Sequence, residues 1–146
     1  MFDQAELRRT APAMTYEQLL EAVRYEGAYP DAPRAAESVR QVLGALGRRL
    51  TGEERVELAA RLPAEAALAF TAQPPELDEL TGWGFVKDLA ARTGTSPAAA
   101  RWDTGAVLSV VARLAGPELL ARILRALPGG YALLFGQIEL APGRTA

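Results

Sequence analysis

The sequence contains no cysteine and no histidine. Without cysteine there is no disulfide framework, no thiolate nucleophile and no zinc ribbon. Without histidine the chain lacks the commonest general base and the commonest metal ligand. Asparagine is missing too, and Lys87 is the single lysine, so positive charge rests almost wholly on arginine. No apolar run approaches the roughly 18 residues of a membrane span. The segment Met1-Phe2-Asp3-Gln4-Ala5-Glu6-Leu7 puts acids where a secretion signal needs a basic stretch and then an apolar one. These absences predict a cytoplasmic protein with no membrane contact, no bound metal and no cofactor. The net charge of −2 and pI near 5.3 do not fit the basic footprint of a nucleic-acid binder.

What is present suits one globular domain. The 146 residues are 49% hydrophobic and 23% charged, with both signs mixed, enough to bury a sizeable core and too apolar for intrinsic disorder. Abundant Ala, Arg, Gly and Pro, with few Ile and Lys and no Asn, suggests a GC-rich bacterial genome as the source.

Helical periodicity dominates. Pro12 breaks the opening stretch, and Met14-Thr15-Tyr16 reads as the start of the folded unit, with Thr15 and Gln18 forming a capping box. Tyr16, Leu19, Leu20 and Val23 then lie on one helical face, which Gly27 and Pro30 end. A second helix starts at Asp31 or Ala32, tolerates Pro33 in its first turn and carries the stripe Ala35, Ala36, Val39, Val42, Leu43, Leu46 and Leu50. Thr51-Gly52-Glu53-Glu54 reads as another capping box, opening a helix that buries Val56, Leu58, Ala59 and Leu62. Pro63 restarts a short helix through Leu68 and Phe70, and Gln73-Pro74-Pro75 marks a linker.

The plan then recurs. Phe85, Val86, Leu89 and Ala90 mark a helix ended by Gly94. Ser96 caps a long stripe from Ala99 through Trp102 to Leu114, Gly116-Pro117 opens a helix with Leu119, Leu120, Ile123, Leu124 and Leu127, and Pro128 restarts a short one through Leu133 and Phe135. Only Gln137-Ile138-Glu139-Leu140 alternates like a strand. Gly27 and Pro33 answer to Gly94 and Pro97. Val42, Leu43, Leu46, Leu50 and Gly52 answer to Ala106, Val107, Val110, Leu114 and Gly116 at a constant offset of 64. The pattern Pro-x-x-x-Ala-Leu-x-Phe occurs at Pro63, Ala67, Leu68, Phe70 and again at Pro128, Ala132, Leu133, Phe135. The expected fold is therefore all-α, a helical bundle of two tandem pseudo-repeats with three to four helices each. An N-terminal arm (1–14), a first repeat (15–72), a Pro-containing linker (73–80), a second repeat (81–136) and a C-terminal tail (137–146) divide the chain, the two repeats closing one core.

Val42-Leu43, Leu46, Arg49-Leu50, Glu54, Leu58 and Leu62-Pro63 read as V-L-x-x-L-x-x-R-L-x-x-x-E-x-x-x-L-x-x-x-L-P. In this the chain resembles the uncharacterised bacterial family known as domain of unknown function 2267, over roughly residues 15–136. The matching positions are core or cap positions, so the resemblance implies a duplicated helical bundle and brings no catalytic residues with it. Phe85-Val86-Lys87 through Leu114 also resembles the N-terminal helical hairpin of histone-like DNA-bending proteins. No β-arm follows it, and Ala98, Ala99 and Ala100 offer nothing to bases or phosphates.

Five local groups invite functional readings. Trp83 and Phe85, in Gly82-Trp83-Gly84-Phe85, are a candidate partner anchor, though a staple onto the core is the simpler reading. Arg101-Trp102-Asp103-Thr104 reads as a core tryptophan flanked by solvated charges. Arg48-Arg49 complements a helix C-terminus, with anion binding as the functional reading. Gly129-Gly130-Tyr131 lacks the spacing of a phosphate loop and reads as a helix break. Glu53, Glu54 and Glu57 suit a helix N-terminus. No residue is assigned as catalytic, metal-binding or cofactor-binding. The candidate interaction surface is Trp83, Phe85, Leu119, Leu120, Ile123 and Leu124, because the stripe on the last long helix is wider than one internal contact needs and Leu77, Leu80 and Trp83 crowd the linker end. The leading expectation is a non-enzymatic helical module for protein–protein interaction or self-assembly, most simply a homodimer. The alternative is an apolar small molecule in the cleft between repeats; a histone-like DNA-associated protein is third.

Overall fold

The computed structural model describes residues 12–137. The expected N-terminal arm up to residue 11, and the tail with its alternating stretch from residue 138 on, lie outside the described residues. Among the described residues the chain forms seven helices and no strand: α1 (Tyr16–Gly27), α2 (Ala32–Gly47), α3 (Gly52–Arg61), α4 (Ala64–Thr71), α5 (Gly82–Thr93), α6 (Pro97–Ala126) and α7 (Tyr131–Leu134). The fold is an all-α bundle.

Local chemistry explains most helix starts. Thr15 and Gln18 exchange the two hydrogen bonds of a capping box, Asp31 caps α2 ahead of Pro33, Thr81 caps α5, and Ser96 caps α6 ahead of Pro97. The expected box at Thr51 does not form; Thr51 makes no side-chain cap bond, and the next residue, Gly52, turns the chain with a φ of +67°. Two apolar positions also point outward. Val56 and Leu68 are exposed, each two residues from the nearest core side chain of its helix, Leu58 and Phe70. Residues two apart on a helix face different ways.

The long α6 is the hub. It packs against α1, α2, α3, α5 and α7, which is why Ala106, Val107, Leu108, Val110, Val111 and Ala112 are all buried; a helix surrounded by neighbours is apolar all round. The helix break expected at Gly116 is present, with φ 79° and ψ 163°, a backbone region open essentially to glycine alone. The helix is kinked there and resumes from Pro117. Gly82 and Gly130 make the other close approach. A Cβ on Gly82 would lie 2.3 Å from the Gly130 carbonyl oxygen, and Gly82 N–H donates to the Gly129 carbonyl at 2.9 Å. The start of α5 is thereby locked to the α6–α7 turn.

Several turns recur in the two halves. Thr15 and Thr81 are both N-caps with extended backbones, Ala28 and Gly94 both end helices in the left-handed conformation, and Leu62 and Leu127 both end helices extended. Phe70 and Phe135 are both buried.

Candidate functional site

Two polar constellations stand out, one internal and one open. The internal one gathers where the α1–α2 turn meets α6. Gly27 has no side chain because the Tyr29 ring folds back over it; a Cβ there would lie 2.2 Å from that ring. The left-handed turn therefore falls on Ala28, φ 53°. Tyr29 then reaches across to α6, where its hydroxyl donates to Asp103 Oδ1 at 2.5 Å. Arg34 approaches the same carboxylate at 3.4 Å, donates to Ser38 Oγ at 2.6 Å and lies over the Tyr29 ring. Burial, helped by the bond to Asp103, pushes the Tyr29 phenol up to about 12. Beside it Thr104 is fully buried, and its hydroxyl has no hydrogen-bond partner among the described residues.

This arrangement corrects the reading of Arg101-Trp102-Asp103-Thr104. Trp102 is 58% exposed, with Asp103 and Thr104 in the interior. The tryptophan lies on the surface because its indole N–H donates to the Gly27 carbonyl at 2.9 Å, while Tyr29 and Arg34 supply the partners that let Asp103 be buried. Apart from the Thr104 hydroxyl these groups are bound to one another, so the cluster joins α1, α2 and α6.

The candidate interaction surface is also corrected. Phe85, Leu119, Leu120 and Ile123 are core residues, and Leu124 is partly buried against that core. Phe85 packs edge-on against Tyr131, with ring centroids 5.7 Å apart. The α3 helix covers α6, held by Glu57 accepting from both terminal nitrogens of Arg122 at 2.7 and 2.6 Å. That pair holds the Glu57 carboxyl below its usual range and raises Arg122. Of the six residues only Trp83 is well exposed; it packs against Lys87 instead of stapling the core. Gly129-Gly130-Tyr131 is the expected helix break, and the Tyr131 hydroxyl donates to the Leu80 carbonyl at 2.8 Å. Among the described residues no three carboxylates converge as a metal site would require.

The open constellation is a groove of about 830 Å³ formed by α2, α4 and the end of α5. Leu68 rises beside it, 72% exposed. Gly44 and Ala69 form part of its lining, with Arg40 and Arg48 from α2, Glu65 from α4, Arg92 from α5 and Glu76 from the linker. Arg48-Arg49 ends α2 as expected, but its role is wider than capping. Glu76 accepts from Arg49 at 2.6 Å and from Arg92 at 3.3 Å, with Arg48 at 3.9 Å, and its own N–H donates to the Arg48 carbonyl at 2.8 Å. The linker is thus pinned across the C-terminus of α2. Burial, and then the neighbouring Arg92, lowers Arg48. Among the described residues Arg40 and Glu65 make no ion pair. The sequence reading missed Leu68 as a surface residue, although its spacing from Ala66 and Phe70 carried the signal.

No helix of the described residues is long and apolar enough to cross a membrane. The chain matches no curated protein. A family model described as "Uncharacterized conserved protein (DUF2267)" matches residues 16–134, the span that holds the whole bundle from α1 to α7. The chain belongs to the DUF2267 family of uncharacterised conserved proteins.

Proposed function

We propose that this chain is a non-enzymatic helical module that acts by protein–protein contact through the groove between α2, α4 and α5. The observation that carries this reading is Leu68, a large apolar side chain left 72% exposed beside a groove lined by both apolar and charged groups. Apolar patches rimmed by polar residues are typical of interaction sites. Other apolar side chains are exposed elsewhere, Leu77 and Val56 among them, but Leu68 stands at a groove that also offers charged groups from α2, α4 and α5. A photo-crosslinking amino acid at position 68, incorporated in producing cells, should form protein adducts. The same group at the exposed Tyr25 on α1 should not. Equal labelling at both positions, or none at 68, would remove the reading.

The second reading is a small apolar ligand in the same groove. Its volume of about 830 Å³ lies in the range of ligand pockets, and it is formed between the two halves of the chain. Native mass spectrometry of the purified protein distinguishes the two, since a bound small molecule adds a discrete mass to the chain. Under either reading we propose a cytoplasmic location. The paired caps and the Pro-x-x-x-Ala-Leu-x-Phe motif support descent of the two halves from one unit; superposing 15–70 on 81–135 should bring Pro63 onto Pro128 and Phe70 onto Phe135.

A further inference from the structure

We propose that the partner seated on this groove is a second copy of the same chain, in a two-fold dimer. The proposal rests on the reading of the groove as a protein-binding face and names its occupant. The face is self-complementary in charge. Arg40 on α2 and Glu65 on α4 line the same groove, and neither makes an ion pair among the described residues. An acidic partner would satisfy Arg40 and be repelled by Glu65; a basic one would do the reverse. A partner must carry both signs at the spacing of this face, and a second copy does so by construction. In a two-fold contact, if residue i meets residue j then j also meets i. Arg40 facing the partner's Glu65 therefore occurs twice.

The apolar part of the groove fits the same pairing. Leu68 projects from α4, and Gly44 of α2 leaves a bare spot in the lining. A Cβ at Gly44 would meet only the Ala69 carbonyl oxygen, at 3.8 Å, so packing within the chain does not demand glycine there. Gly47, one turn on, is different: its Cβ would overlap the Phe70 carbonyl oxygen at 1.8 Å. The space above Gly44 is where the partner's Leu68 seats.

The test is the mass of the full chain in solution, by light scattering or sedimentation from micromolar to near-millimolar concentration. The wild type should pass from monomer to dimer. Arg40→Glu and Glu65→Arg should each weaken the dimer by roughly tenfold, since symmetry doubles every altered pair and reversal turns attraction into repulsion. An equimolar mixture of these two variants should recover it, because both cross-pairs are then of opposite sign. The double variant should recover it as well. Leu68→Asp should give monomers, while Leu133→Asp, at the equivalent motif position outside the groove, should not. Arg40, Glu65 and Leu68 are exposed, and unchanged circular dichroism and melting of each variant checks that the fold is intact. A wild type that stays monomeric throughout, a dimer indifferent to both charge reversals, or a mixture that fails to recover would each overturn the proposal. Crosslinking at position 68 separates the two levels of inference. Adducts to a different protein from a monomeric wild type overturn the dimer and leave the groove as a protein-binding face; no adducts at all remove both.

Discussion

At the scale of single residues the corner Gly27-Ala28-Tyr29 shows how one contact dictates its neighbours. Tyr29 must lie back over the end of α1 to reach Asp103, and its ring fills the space a side chain at position 27 would need. Glycine is therefore held at 27, and the left-handed position falls to Ala28, a non-glycine residue with φ 53°. Ala28→Gly should relieve that conformation and raise stability by about 1 kcal/mol. Gly27→Ala should instead displace Tyr29 and cost about 1–3 kcal/mol. Denaturant melts of the two single variants check the opposite signs. Tyr29→Phe keeps the ring but leaves Asp103 with Arg34 as its side-chain partner. Removing one partner from a buried pair costs on the order of 1–3 kcal/mol, read as a lower denaturation midpoint with an unchanged slope.

At the scale of elements α6 decides the architecture. Its N-terminal segment is central to the bundle, and its segment after Gly116 is covered by α3. The turn at Gly116 has a φ of 79° and a ψ of 163°, so Gly116→Ala should cost about 1–3 kcal/mol through backbone strain alone. A Cβ there would meet only the Arg61 guanidinium at 3.7 Å, which separates strain from clash. Leu120 is 6% exposed. Leu120→Glu should leave an unpaired charge in the core and yield unfolded or strongly destabilised protein, visible as lost helical circular dichroism. A folded monomer from that variant would mean that the α6 stripe is a surface after all.

At the scale of the molecule, ion pairs and buried phenols set the pH range of stability. The Arg122 hydrogen bonds depress Glu57 below its ordinary value of 4.5. A depressed carboxyl contributes stability above its unfolded value, and the contribution is lost as pH falls through the lowered folded value. Acid unfolding of Glu57→Gln should therefore be shallower than that of the wild type. Tyr29 and Tyr131 behave in the opposite sense. Burial raises both from 10.0 to about 12, so stability is complete below pH 10 and lost as pH rises through about 12. A spectrophotometric titration should show two phenols ionising late, together with unfolding, and Tyr131→Phe should remove one of them.

The sequence by itself determined where helices begin and end. Caps such as Thr15, Asp31 and Ser96, the prolines that follow, and the breaks at Gly116 and Gly130 act through hydrogen bonds and dihedral angles within a few residues, so a short window of sequence contains their causes. The Thr51 box failed inside such a window because Gly52 took a backbone angle that only the onward course of the chain explains. Which faces point inward was decided by the tertiary structure alone. Asp103 is buried and Trp102 exposed because Tyr29, 74 residues away, and the Gly27 carbonyl, 75 residues away, are brought to them. Leu119, Leu120 and Ile123 form core instead of surface because α3 and α7 both pack onto α6, α3 tied by Glu57 to Arg122 across 65 residues. The groove beside Leu68 exists only once α2, α4 and α5 have met. Periodicity records that a helix has an apolar face; burial depends on which other element arrives to cover it.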